Sequence, residues 1–319
     1  MINFKHLSVM ADETVNLIVT NPHGTYVDCT LGGAGHSLKI AEHLEPNGLI
    51  IGIDQDTDAI AAAEERLQNV SCNVKLIHDN FSRLDAILDD CGIDKVDGIL
   101  FDLGVSSHQI DTVERGFSYM HDAPLDMRMD TAKSFTALNV VNDYDEDRLY
   151  KIFHNYGEER FSRRIARAIV EARKEKKINT TGELVKIIEK SIPHINRTNQ
   201  TNQKIGHPAK RIFQAIRIEV NNELGVLEGA ITTAVKRLKI GGRIVVITFH
   251  SLEDRIVKTA FKTFATGCIC PKSLPVCVCN HKAEIKLIGK SITATEAELK
   301  NNSRAKSAKL RAAEKILDI

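Results

Sequence analysis

At 319 residues the chain is longer than an average domain and suggests roughly two of them. A hydrophobic share of 43% and a charged share of 27% are those of an ordinary globular protein, and no apolar run approaches the ~18 residues of a membrane span. The net charge of +1 hides a polarity: residues 1–110 hold 6 Lys/Arg against 17 Asp/Glu, and residues 157–217 hold 15 against 6. Such polarity points to a polyanionic partner held by one part of the chain, although a solvated helical face would account for it in the absence of other signs of nucleic acid. The odd count of 7 cysteines fits a reducing, cytoplasmic setting better than a disulfide scaffold, and Asp12 and Glu13 leave no secretory signal near the N-terminus.

In chain order, residues 13–20 read as a short helix ahead of Pro22 and Gly24. A first strand, Tyr26-Val27, ends at Asp28 and runs into a loop with Gly32, Gly33 and Gly35, followed by the helical pattern Leu38, Ile40, Ala41, Leu44. A second strand, 49–53, ends at Asp54, and 56–67 has helical composition. A third strand, 74–78, leads to Asp79-Asn80-Phe81, and Ser82 is placed to cap a helix over 83–88. A fourth strand, 98–101, ends at Asp102. Strands alternating with helices predict an α/β fold with a mostly parallel, doubly wound sheet.

The alternation stops near residue 110. An amphipathic helix over 158–174 carries the apolar stripe Phe161, Ile165, Ala168, Ile169, Ala172, with Arg160, Arg163, Arg164 and Arg167 on another face. A second helix covers 181–192, ended by Pro193, and 194–207 is polar and loop-like. Residues 110–207 therefore read as a helical insertion between sheet segments 1–109 and 208–319. The latter contains helices over 208–227 and 229–238, a fifth strand over 243–249 ending at His250, and two final strands, 285–288 and 308–316, paired as a hairpin-like edge.

Glycines at a strand-to-helix turn let the backbone approach a ligand, and strand carboxyl ends line the ligand crevice of an open α/β sheet. Asp54, 22 residues beyond Gly32, stands where an acid meets ribose hydroxyls, a spacing that suits a dinucleotide as well as S-adenosylmethionine. A dehydrogenase loop should read G-x-G-x-x-G; this one reads GGAGHS.

The runs DCTLGGAGHS, IGIDQD, DGILFDLGVSSHQID, PLDMRMD, YGEERFSRRIARAIV, HPAKRIFQAIRIEVNNEL and GGRIVVITFHSLEDRIVK resemble the bacterial MraW (RsmH) family of S-adenosylmethionine-dependent 16S rRNA cytosine-N4 methyltransferases. The resemblance covers nearly the whole chain and implies a class I methyltransferase (Rossmann-like) sheet with an inserted helical domain. It implies cofactor contacts at Ala34, Gly35, His36, Asp54, Phe81, Asp102 and Gln109, with S-adenosylhomocysteine as product. The substrate it implies is 16S rRNA at the decoding centre, within the small ribosomal subunit, for an enzyme of the cytoplasm; it leaves a homodimer open. Thr30 and Ala34 stand in two glycine places of the generic methyltransferase loop.

A cytosine amine is a poor nucleophile that must be held in line while a side chain accepts a hydrogen bond from its N–H. The Asp/Asn-Pro-Pro-aromatic turn of many amino-methyltransferases is replaced here by Asp102-Leu103-Gly104-Val105-Ser106-Ser107. The acceptor role falls to Asp102, helped by Ser106 or Ser107, with His250 in reserve. Asp126 and Arg128 either shape the substrate pocket or brace a loop. Arg160, Arg163, Arg164, Arg167, Lys210, Arg211 and Arg217 are the candidate phosphate contacts, and Phe117 or Tyr119 a base-stacking surface. Catalysis needs no metal by the resemblance. Cys268-x-Cys270 and Cys277-x-Cys279, with His281, form a C-x-C-x6-C-x-C run that leaves structural zinc open beside an inert or redox-sensitive loop.

Overall fold

The computed structural model describes residues 8–192, 207–271, 274–276, 278–279 and 281–318. The polar segment 194–206, Pro193 and Cys277 lie outside the described residues. The chain forms two compact units, Met1–Gly104 with Leu224–Ile319, and Val105–Glu223.

In the first unit, α1 (Ala11–Ile18) precedes a strictly alternating series: β1 (Thr25–Asp28), α2 (Gly35–Ala41), β2 (Leu49–Asp54), α3 (Thr57–Leu67), β3 (Asn73–His78), α4 (Leu84–Asp90) and β4 (Val96–Asp102). The second unit holds α5 (Ser107–Asp111), α6 (Ala137–Asp143), α7 (Glu146–Asn155), α8 (Ser162–Glu175), α9 (Thr181–Ser191) and α10 (Ala209–Asn221). From α11 (Glu223–Arg237) the chain returns to the sheet with β5 (Leu238–Thr248), α12 (Ser251–Ala265), β6 (Ile285–Leu287), β7 (Ile292–Thr293), α13 (Glu296–Asn301) and β8 (Lys309–Lys315).

The strand order is β3-β2-β1-β4-β5-β8-β6, with β7 also on β8. β1 to β5 pair in parallel, and β8 enters antiparallel between β5 and β6. This is the α/β, mostly parallel doubly wound sheet expected from the strand-helix alternation. The central strands read as continuous apolar runs because both faces are covered. Val27, Ile51, Ile99, Phe101 and Val246 face one core with α4, α11 and α12, while Tyr26, Ile50, Leu100, Val245 and Ile247 face another with α1 and α2. The order reverses between β1 and β4, the switch point where open α/β sheets bind ligands.

Several expectations are corrected. Asn80, not Ser82, makes the cap before α4: its Oδ1 accepts from Ser82 N at 2.9 Å, and a 3-10 turn over Phe81–Arg83 delays the helix to Leu84. The helix expected over 208–227 breaks at Asn222, which takes a left-handed conformation (φ 52°) and closes α10; asparagine is among the few residues with a side chain that tolerate it. The unit boundaries fall at 104/105 and 223/224 rather than 109/110 and 207/208, because α10 buries Ala209, Ile212, Phe213, Ala215 and Ile216 in the helical core. That core also takes Phe153, Ile165, Ile169, Leu184 and Ile188. Among the described residues the helical unit has no strand beyond the single bridge Pro124–Thr180.

Candidate active site

Asp28 and Asp102 end the two strands that flank the switch point, and Asp54 ends β2. Asp28 is buried; its Oδ1 accepts from Thr30 N at 3.2 Å and its Oδ2 from Ser37 Oγ at 2.7 Å, and burial raises its pKa. It braces the loop and offers little to a ligand.

Asp102 is different. Its backbone N–H donates to Thr30 Oγ1 at 2.6 Å, which ties the end of β4 to the loop after β1. Its Oδ2 lies 3.5 Å from His36 Nδ1, whereas its Oδ1 is buried with no hydrogen-bond partner. Burial pushes the carboxyl up to about 6 against the opposing attraction of His36, with Asp28 and Glu253 adding like charge. An orphaned carboxylate oxygen is costly unless a donor arrives to meet it. His36 Nε2 sits 2.9 Å from the Val9 carbonyl, which can only accept, so Nε2 carries a proton. Nδ1 faces the carboxylate. The resemblance placed His36 among the cofactor contacts; its ring stands beside Asp102. Thr30 was read only as a departure from the glycine pattern, but its hydroxyl is the group that fixes the Asp102 backbone.

In the loop, Gly32 (φ 49°) and Ala34 (φ 55°) are both left-handed, so Ala34 holds a conformation that costs a residue with a Cβ about 1 kcal/mol. Ala34 N–H donates to Leu31 O at 2.8 Å and is therefore closed to a ligand, contrary to expectation. At Gly35 a Cβ would lie 1.9 Å from Ser8 Oγ, so glycine alone permits that approach. Gly35 also borders a separate cleft with Ser8, Lys39, Arg66 and Glu298. Asp54 accepts from Gly32 N at 2.7 Å through Oδ2 and from Asp56 N at 2.9 Å through Oδ1. Burial raises it to about 6, and two of its four lone-pair sites remain for hydroxyl donors. Phe81 stands edge-on to Phe101 at 5.6 Å and presents a half-buried ring at the end of β3.

Ser106, Ser107 and Gln109 belong to the helical unit. Ser106 Oγ accepts from Gln109 N at 3.1 Å and Gln109 Oε1 from Ser106 N at 3.0 Å, a reciprocal cap on α5. These bonds start a helix. His250 caps α12 in the same way with Glu253, whose Oε2 accepts from Phe249 N at 2.8 Å. Of the two readings of Asp126 and Arg128, the structure carries the bracing one: Arg128 grips both carboxylate oxygens, Nε to Oδ1 at 2.9 Å and Nη2 to Oδ2 at 2.6 Å, and holds the Asp126 pKa down against burial.

Of the candidate phosphate contacts, Arg160, Arg163, Arg164, Arg167, Lys210 and Arg211 are exposed, whereas Arg217 is half-buried and committed to Glu223, Nε to Oε1 at 2.8 Å and Nη2 to Oε2 at 2.9 Å. Arg160 precedes α8 instead of sharing its face, because the helix starts only at Ser162. Arg163 Nη1 pairs with Asp147 at 3.2 Å and lies 4.1 Å over the Tyr150 ring, while Arg167 Nε reaches Glu146 at 3.5 Å. Arg211 Nη1 donates to Glu158 O at 3.1 Å. Tyr119 stacks on His207 at 4.9 Å and, with Phe117, packs against the helical core.

A doubly wound sheet with a glycine-bearing loop after β1, acids at three strand ends and an orphan carboxylate at the switch point defines an enzyme fold of the class I methyltransferase type. The chain matches the MraW methylase family over residues 3–316 and belongs to it. It is 56% identical to "Ribosomal RNA small subunit methyltransferase H" of Clostridium botulinum (strain Loch Maree / Type A3) over 98% of this chain and 99% of that protein. It is 54% identical to the protein of the same name from Clostridioides difficile (strain 630), with the same coverage of both chains. The family expected from the motifs is the family found.

Proposed function

We propose that this protein transfers the methyl group of S-adenosylmethionine to the exocyclic N4 amine of a cytidine in 16S rRNA, within the small ribosomal subunit and therefore in the cytoplasm. The observation that carries the reading is Asp102 Oδ1, a buried acceptor without a donor at the sheet's switch point. An amine N–H is the donor it lacks. When bound, the cofactor supplies a sulfonium-activated methyl group. The chain's own residues do the rest: Asp54 accepts ribose hydroxyls, Phe81 offers a flat apolar ring to a purine, and Gly35 and His36 shape the loop. Asp102, steadied by His36 and Thr30, orients the amine and takes its hydrogen bond, so its lone pair points along the line of attack.

Arg160, Arg163, Arg164, Arg167, Lys210 and Arg211 serve as the phosphate track. The acids paired with Arg163 and Arg167 are exposed or half-exposed, so those ion pairs are weak and exchange readily for phosphates. Ser106 and Ser107 contribute by starting α5. Incubating the protein with labelled S-adenosylmethionine and small subunits lacking the modification, followed by nucleoside analysis, tests the reading. Label on the cytidine N4 amine is expected; label on ribose or on carbon five overturns it.

A further inference from the structure

We propose that Cys268, Cys270 and Cys279 form a zinc site that staples the connection between α12 and β6. Their three sulfurs all lie within 4.8 Å of one another. Cys268 Sγ and Cys279 Sγ are 3.8 Å apart, and tetrahedral zinc with Zn–S bonds near 2.3 Å sets its sulfurs about 3.8 Å apart. Val278 N–H donates to Cys270 Sγ at 3.4 Å, the kind of backbone bond that steadies a metal-bound thiolate.

Burial does not explain why these thiols converge. The connection turns its apolar side chains outward: Ile269 is 63% exposed, Val276 70% and Val278 73%. Its base is closed by Glu284 N donating to Phe264 O at 2.8 Å, while its described apolar side chains beyond that point stand in solvent. Short segments in that position are held by a cross-link or a metal. Sulfur-rich, redox-silent coordination selects zinc among thiophilic metals. On binding, each of the three thiols loses its proton to solvent and donates a lone pair to Zn2+, with no change of oxidation state.

The test is metal analysis of the full-length protein purified without chelator, beside Cys268→Ser, Cys279→Ser and, as a control, Cys91→Ser. About one zinc per chain is expected in the parent and in Cys91→Ser, falling at least tenfold in the other two variants, with far-UV circular dichroism unchanged. Cobalt exchanged into the parent should give the near-ultraviolet sulfur-to-metal charge-transfer band, lost in Cys270→Ser. The proposal is overturned if the parent holds no stoichiometric metal. It is overturned equally by a mass two hydrogens short of the thiol form, which marks a disulfide, or by zinc that survives both serine variants.

Discussion

The two units differ less in how much charge they carry than in where they keep it. The sheet unit, residues 1–104 and 224–319, nets −2, and the helical unit, residues 105–223, nets +3; the acidic first segment is balanced by a tail after residue 224 with 17 Lys/Arg against 8 Asp/Glu. In the sheet unit Asp54 and Asp102 are drawn into the protein until burial raises both to about 6. In the helical unit Arg163 and Arg167 stand exposed on a helix surface and pair with an exposed and a half-exposed acid. Desolvated charge can steer a reacting group, whereas solvated charge can neutralise phosphates without committing to a geometry. On this account chemistry and substrate binding are divided between the units, and variants should separate them.

The largest effect should come from Asp102→Asn, which keeps shape and removes the anionic acceptor: kcat is expected to fall by ~10²–10⁴-fold with little change in the KM for RNA. The pH profile sharpens the point. Because the ionised carboxylate is the stronger, charge-assisted acceptor, log kcat should climb with slope one up to about pH 6 and then level, and the break should vanish in the variant.

The helical unit should respond the other way. The triple variant Arg163→Ala/Arg164→Ala/Arg167→Ala is expected to raise the KM for RNA by ~10-fold or more and to reduce the slope of log affinity against log salt by about 2–3, with kcat held. An unchanged salt slope would remove these arginines from the phosphate track.

Stability gives a smaller effect of opposite sign. A carboxyl whose folded pKa lies above its unfolded value favours the fold below about pH 4 and loses that contribution as pH rises through 6. Asp102→Asn should therefore unfold at higher temperature than the parent at pH 7.5, by about 2 kcal/mol, with the gap closing at pH 4. Calorimetry at the two pH values checks the sign. Smallest of all, Ala34→Gly should relieve the left-handed strain and gain up to about 1 kcal/mol, whereas Gly35→Ala must displace Ser8 and lose stability.

The strand-end acids were legible because a parallel strand buried on both faces announces itself as an apolar run, and its last residue is the first able to be polar. The loop's role was legible from its glycines. The Thr30–Asp102 bond was not, since it joins residues 72 apart and nothing local marks a hydroxyl as an acceptor for a distant strand. Nor was the placement of α10: its amphipathic stripe reads the same whichever core it faces, so the unit boundary moved from 207 to 223. Arg160 was misplaced for a similar reason. Glu159, whose Oε1 accepts from Phe161 N at 2.9 Å, holds a turn where the periodicity already looked helical. The strand-end positions of Asp28, Asp54 and Asp102 were legible; which hydrogen bonds they had left to offer was a tertiary fact.

The most direct measurement is single-turnover methyl transfer to unmodified small subunits by the parent and by Asp102→Ala, with the product nucleoside identified. The account predicts N4-methylated cytidine from the parent and a rate at least ~10²-fold lower from the variant, with RNA still bound. Equal rates would show that the orphan carboxylate oxygen has no part in the reaction.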